Sequence, residues 1–326
     1  MAGLLDVSTT DFVTTIRMNR PPVNALIAEL QEQLIEALNR VKDDDATRVV
    51  LLTSAIDRYF MAGADIKSMG GEGGFDRENP ATLERVAQMS RRSQAAFTQI
   101  EHFPKPLIAA INGHALGGGC ELALACDYRL MIDDSRSTIG QTETSLGLIP
   151  GAGGTQRLPR LVGRTRATEM IFESIRLKAP EAAAIGLINA ALPADGFHDA
   201  ALARARRLAQ AAPIALRLAK EALLAGLERS PGKGYEVEAE NFGKAAMTED
   251  AIRKVNFRGL PVSRTRFTRS QEQRILVNRE GYFHASMDHG CGRCGRLAGG
   301  GCPIRRGGQR TRKGRQHAGH RHHAQE

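Results

Sequence analysis

The chain has 326 residues, 42% hydrophobic and 25% charged, an ordinary balance for a soluble globular protein with room for one large or two moderate domains. No apolar run reaches the roughly 18 residues of a membrane-spanning helix, so no membrane partner is expected. The net charge of +9 sits at one end: residues 261–326 hold 14 Lys/Arg against 4 Asp/Glu, net +10, leaving about −1 for residues 1–260.

The opening MAGLLDVSTTDF lacks a basic segment followed by an apolar one, which predicts no signal peptide and a cytoplasmic location. Phe12 to Met18 alternates apolar and polar residues and reads as a strand. After the RPPVNAL turn, apolar residues at 27, 30, 34, 35, 38 and 41 predict a helix over Ile27–Val41. Arg48 to Thr53 reads as a buried strand, and the Gly70–Gly74 cluster as a mobile loop. Leu83 to Ile100 is helical, stopped by Phe103-Pro-Lys-Pro106.

The stretch Ile108 to Asp127, IAAINGHALGGGCELALACD, organises the rest. It starts as a short buried strand that ends at Asn112-Gly113. Gly117, Gly118 and Gly119 then make a turn without Cβ atoms, where backbone can approach a ligand closely. A buried helix follows from Cys120, with Glu121 in its first turn, so unpaired N–H donors and a carboxylate arrive together. Cys120 and His114 read as a small buried residue and a neutral turn histidine, not as a thiol with its base. Beyond it, Tyr128–Ile132 reads as a strand and Thr138–Gly140 as a short extended piece. Gly151-Ala-Gly-Gly154 reads as a turn at a helix start. Helices are predicted over 164–173, 180–185, 199–212, 214–228 and 235–247. Strands paired with helices, then helices alone, argue for an α/β core with an α-helical C-terminal layer. From about 258 the chain turns Gly-, Arg- and His-rich and loses periodicity, which predicts a disordered tail and is the kind of break a reading-frame shift would leave. Cys291 and Cys294 lie there without a second ligand pair, so no metal site is expected.

Three motifs stand in order: Phe60-Met-Ala-Gly-Ala-Asp-Ile-Lys67, Asn112-Gly-His-Ala-Leu-Gly-Gly-Gly-Cys-Glu-Leu122, and the run from Gly140 to Arg157, GQTETSLGLIPGAGGTQR. Together they resemble the crotonase superfamily, and most closely its enoyl-CoA hydratases, over roughly residues 10–250. The resemblance implies a spiral of β-β-α turns with a C-terminal helical layer that trimerises, giving a homotrimer or homohexamer. It divides the chain into a core at 1–195, a helical region at 196–257 and the tail at 258–326. It also implies that the N–H groups of Ala64 and Gly118 form an oxyanion hole for the thioester oxygen. Glu121 would position and activate water, and Glu143 would deliver a proton to C2. Ala62, Asp65, Ile66, Lys67 and Gly117 match positions that bind the acyl-CoA substrate. No metal or organic cofactor is implied.

Hydration builds enolate charge on the carbonyl oxygen and needs one proton taken and one given, which suits two N–H donors and two carboxyl groups. Two alternatives stand beside it: a Δ3-Δ2 enoyl-CoA isomerase, which needs one carboxylate, and a nucleic-acid-binding protein acting through the basic tail. The tail lacks interleaved aromatic residues and any nucleic-acid module, so a nucleic-acid partner is not expected. One departure from the family's pattern stands out. Glu173-Ser174 occupies a turn where members carry Thr-Gly, which predicts a strained turn and a looser wall of the acyl pocket.

Overall fold

The computed structural model describes residues 3–65 and 79–257. Ile66, Lys67, the expected Gly70–Gly74 loop and the expected disordered tail from 258 lie outside the described residues.

A hairpin of β1 (Leu5–Thr10) and β2 (Val13–Met18) leads into α1 (Ala28–Val41). A unit of two strands and a helix then recurs. It runs β3 (Val49–Ser54), β4 (Tyr59–Met61), α2 (Pro80–Glu101), and next β5 (Leu107–Ile111), β6 (His114–Leu116), α3 (Gly118–Leu124). The third pass is β7 (Tyr128–Asp133) and β8 (Ile139–Gly140), followed by a 3₁₀ helix (Glu143–Leu146) and α4 (Gly154–Val162). After these come α5 (Arg164–Phe172), α6 (Ala179–Ala184), β9 (Ala190–Pro193), α7 (Phe197–Ala209), α8 (Pro213–Glu228), α9 (Pro231–Ala246) and α10 (Glu249–Phe257).

Each pass adds one strand to each of two sheets, and this is the expected spiral. The larger sheet runs β1-β2-β3-β5-β7-β9, parallel from β2 onward, and the smaller runs β4-β6-β8, all parallel. The register is continuous across the passes: Leu51 pairs with Ile108 and Ile108 with Tyr128, while Met61 pairs with Ala115 and Ala115 with Ile139.

The unbroken apolar run of β3 follows from burial on both faces, as expected of a parallel strand under two layers. Val50 and Leu52 enter the main core with α1 and α2, while Val49 and Leu51 face the other way. On that outer face lies α7, whose buried residues Phe197, Ala201, Ala205 and Ala209 recur every four positions. The spacing puts them on one stripe, and the small side chains let helix and sheet approach closely. Burying Phe197 alone is worth about 1.5–3 kcal/mol. Beyond it, α8 is tied to the core by Lys220 Nζ, 2.9 Å from Asp127 Oδ2, an oxygen that also accepts from Leu107 N–H at 2.8 Å. The Asn241 amide, buried, donates to Leu218 O at 3.0 Å and holds α9 on α8. Among the described residues no helix is long and apolar enough to cross a membrane.

Candidate active site

The three strands of the small sheet end side by side, and the segments that leave them meet at one place. After β4 comes Ala62–Asp65. After β6 comes Gly117, opening α3 with Glu121 in its first turn. After β8 come Gln141 and Glu143.

The first two ends bring two N–H groups together. Ala64 N lies 3.5 Å from where a Cβ on Gly118 would stand, so the two backbones are in contact. The approach is possible because α3 begins with glycine. Gly117 takes φ +50°, and a Cβ on Gly119 would lie 2.2 Å from Met61 O, inside the backbone of β4. Among the described residues, no hydrogen bond claims the N–H of Ala64 or of Gly118, although their neighbours are paired: Leu26 N–H donates to Gly63 O at 2.7 Å and Asp65 N–H to Leu26 O at 3.1 Å.

The RPPVNAL turn braces the same segment. Asn24, buried and in left-handed backbone at φ 51°, donates to Ser54 Oγ at 2.7 Å and Phe60 O at 3.1 Å. Arg20 pairs with Asp65 at 2.9 Å and also donates to Ala25 O. Asp65, expected at the substrate, is thus engaged in holding the turn that carries Ala64.

Glu121 is 2% exposed. Its Oε1 accepts from Ala152 N–H and Gly154 N–H, each at 2.7 Å. The Gly151–Gly154 turn is therefore a clamp for a carboxylate. It is held in turn by α2, where Ser90 Oγ and Gln94 Nε2 donate to Gly151 O, and by Arg157, which bonds both Ala152 O and Glu101. Burial pushes the Glu121 carboxyl above its ordinary range, while the Gly154 and Ala152 amides oppose the shift by stabilising the anion.

Glu143 opens the 3₁₀ helix, and its Oε1 is 2.8 Å from where a Cβ on Gly117 would stand, so its carboxyl lies against the glycine turn. Burial, then the nearby charge of Glu121, pushes its pKa up to about 7. The two carboxyl groups stand in unlike surroundings: Glu121 accepts two main-chain N–H donors, which favour its charged form against burial, while Glu143 is raised by burial and by the charge of Glu121. The buried Gln141 amide faces Glu143, with one terminal atom 3.1 and 3.2 Å from its two oxygens. Turned one way this amide accepts from the protonated acid; turned the other, it donates to the carboxylate.

The raised pKa has a consequence for stability. An unfolded Glu143 releases its proton near 4.5 and the folded one near 7. The folded state therefore binds more protons in that window, and stability falls as pH rises through it. Glu143→Gln removes the ionisation, so it is expected to be more stable than the wild type above pH 7, by on the order of 1–3 kcal/mol. Thermal melts from pH 4 to 8 check this. A gap that does not close toward pH 4.5 would contradict it.

Of the residues expected at the site, Ala64, Gly117, Gly118, Glu121 and Glu143 come together, Ala62 and Asp65 lie beside them, and Ile66 and Lys67 are outside the described residues. Cys120 is fully buried, its thiol pushed well above its usual range by burial, while His114 Nδ1 faces Thr138 Oγ1 at 3.0 Å. They form no catalytic pair. Sequence reasoning missed Gln141, Asn24, Arg20 and the clamp at 152–154. Their positions within or beside the quoted motifs were the only signal. Ser174, in the departing turn, has φ 53°, a left-handed conformation that costs a non-glycine residue about 1–2 kcal/mol, so the expected strain is present. The turn is nonetheless bonded to the 3₁₀ helix through the serine hydroxyl.

A family model described as enoyl-CoA hydratase/isomerase matches residues 8–259. The chain is 42% identical over 245 residues to the bovine protein named enoyl-CoA hydratase domain-containing protein 2, mitochondrial, covering 74% of this chain and 79% of the relative. It is 36% identical over 239 residues to the short-chain-enoyl-CoA hydratase of Clostridium acetobutylicum, covering 73% and 87%. Among solved structures, the enoyl-CoA hydratase of Bacillus anthracis superposes with a TM-score of 0.70 at 37% identity, covering 78% of this chain and 95% of that one.

Proposed function

Because the chain belongs to the enoyl-CoA hydratase/isomerase family of the crotonase superfamily, we propose that it is an enoyl-CoA hydratase that converts 2-trans-enoyl-CoA thioesters to 3-hydroxyacyl-CoA. The observation that carries this reading is the pair of unlike carboxyl groups beside two free-facing amides. Glu121 accepts two N–H donors, and Glu143 lies against the glycine turn with its pKa raised to about 7.

In this reading a water held by Glu121 adds its oxygen to C3 and gives a proton to Glu121. The C2–C3 π electrons move toward the thioester, whose oxygen gains charge between the N–H groups of Ala64 and Gly118. Glu143 gives its proton to C2, and exchange with solvent restores both carboxyl groups. Two donors and two carboxyl groups are sufficient, so the proposal includes no metal or organic cofactor. Ala62, Asp65, Ile66 and Lys67 would bind the CoA portion, with Gly117 at the acyl carbonyl. Exposed Leu223, Leu227 and Phe242 on the C-terminal helices support assembly into a homotrimer or homohexamer. A cytoplasmic location belongs to the proposal too, although the bovine relative is named as mitochondrial; cell fractionation decides it.

The competing reading is a Δ3-Δ2 isomerase with Glu143 as its single base. The two predict opposite pH limbs. A hydratase uses protonated Glu143, so kcat/KM falls as pH rises through about 7; an isomerase uses the carboxylate and loses activity as pH falls through the same value. The test monitors loss of the conjugated thioester absorbance of crotonyl-CoA from pH 5 to 9. Hydration too slow to measure, with turnover of a 3-enoyl-CoA that dies on the acid side, would sink the hydratase reading.

A further inference from the structure

The 3₁₀ helix that carries Glu143 has no buried residue of its own, and its Leu146 is exposed. Core packing therefore does not fix it. Hydrogen bonds do, and several of them come from the turn that ends α5. Ser145 N–H donates to Ser174 Oγ at 3.0 Å. Thr144 Oγ1 donates its single proton to Ile171 O at 2.5 Å, so the 2.7 Å contact between the two hydroxyls must run from Ser174 to Thr144. The result is a one-way chain, Ser145 N–H to Ser174, Ser174 to Thr144, Thr144 to the last turn of α5. It engages the two residues that directly succeed Glu143.

The position of the serine makes this informative. Ile175 N–H bonds back to Met170 O at 3.1 Å, which makes Ser174 the left-handed residue that closes a helix, a place glycine fills at the least cost. A glycine would hold the same backbone with less strain. What serine adds is its hydroxyl, and both the donor and the acceptor capacity of that hydroxyl are spent on the Glu143 helix.

Resting on the reading of Glu143 as the proton carrier, we infer that Ser174 is a positioning residue that holds the Glu143 helix in register with the glycine turn of the site. It touches no reacting atom. Its effect is on how often the Glu143 carboxyl is aligned with C2, and so on kcat with little change in KM.

The experiment compares wild type with Ser174→Gly, which relaxes the backbone and removes the hydroxyl, and Ser174→Ala, which keeps the strain and removes the hydroxyl. With crotonyl-CoA, both variants are expected to lose about 5- to 20-fold in kcat with KM within about twofold, an effect confined to the chemical step. Ser174→Gly is expected to melt within about 2 °C of wild type and Ser174→Ala lower, because glycine recovers the strain while alanine does not. Hydrogen exchange supplies a readout that needs no substrate: a peptide covering 142–148 should exchange faster in both variants, with β5 unchanged. A Ser174→Gly enzyme with wild-type kcat, or unchanged exchange at 142–148, overturns the inference, as does a kcat loss matched by a rise in KM. If the wild type proves to isomerise 3-enoyl-CoA and not to hydrate, the hydratase reading fails, while the same variants assayed in isomerisation still test Ser174, since that reaction also uses Glu143.

Discussion

Glu121→Gln and Glu143→Gln are each expected to lower hydration of a 2-enoyl-CoA by about 10²–10⁴, and the double variant to lose far less than the product of the two. Glutamine keeps the size of each side chain and removes its proton chemistry. At Glu121 the two 2.7 Å amide donors remain, because the glutamine oxygen can still accept from Ala152 and Gly154. The clamp should therefore survive, and the loss will report chemistry alone. At Glu143 the amide replaces a group already neutral at low pH, so folding is not at risk. The coupling follows from shared work on one water and one substrate: once either proton step is blocked, the other group has little left to contribute. Steady-state kinetics on the three variants, with both 2-enoyl and 3-enoyl substrates, read this out. Full isomerisation of a 3-enoyl-CoA by Glu121→Gln, together with weak hydration by wild type, would transfer the assignment to the isomerase. If both glutamates prove dispensable, no enzyme reading survives.

Gly118→Pro is expected to cost at least about 10²–10³ in kcat while leaving the protein folded, because in the proposed reaction it removes one oxyanion donor and sets a ring carbon where the hydrogen pointed. Gly118 is the first residue of α3, the helical position where proline is best tolerated, since the missing N–H has no partner within the helix. The steric part can be separated. A Cβ at Gly118 would meet Leu26 Cδ2 at 3.1 Å, the end of a flexible side chain that can yield. Gly118→Ala, which keeps the N–H, should thus retain most of the activity. Proline and alanine variants that lose activity equally would place the effect in packing and remove Gly118 from the hole. A melting curve on each variant guards against mistaking unfolding for lost chemistry.

Long elements with strong periodicity are legible in the sequence alone. α1 begins within a residue of its predicted start, the two-faced burial of β3 follows from its continuous apolar run, and both glutamates stand out within their motifs. Of the small sheet only β8 is legible, inside the extended piece read at Thr138–Gly140. β4 and β6 have three residues each, too few for any alternation to register. The four-residue helix at Glu143 is hidden for the same reason. The clamp on Glu121 escapes for a different one: its donors are main-chain N–H groups of Ala152 and Gly154, and every residue except proline carries such a group. Ser174 is visible as a departure, and its strain can be foreseen. The direction of its hydroxyl cannot, because the partners at Thr144 and Ser145 are brought to it only by the fold.

The ends of β4, β6 and β8 lie on neighbouring rungs of one parallel ladder, each rung about 4.8 Å from the next. The distance between the parts of the site is therefore set by strand pairing and not by the length of chain that joins them. Ala64, Gly118 and Glu143 keep their spacing however much sequence is inserted between one rung and the next, so long as the strands stay in register. In a protein built this way, the connections between strands can change while the two amides and the carboxyl group stay where the ladder puts them.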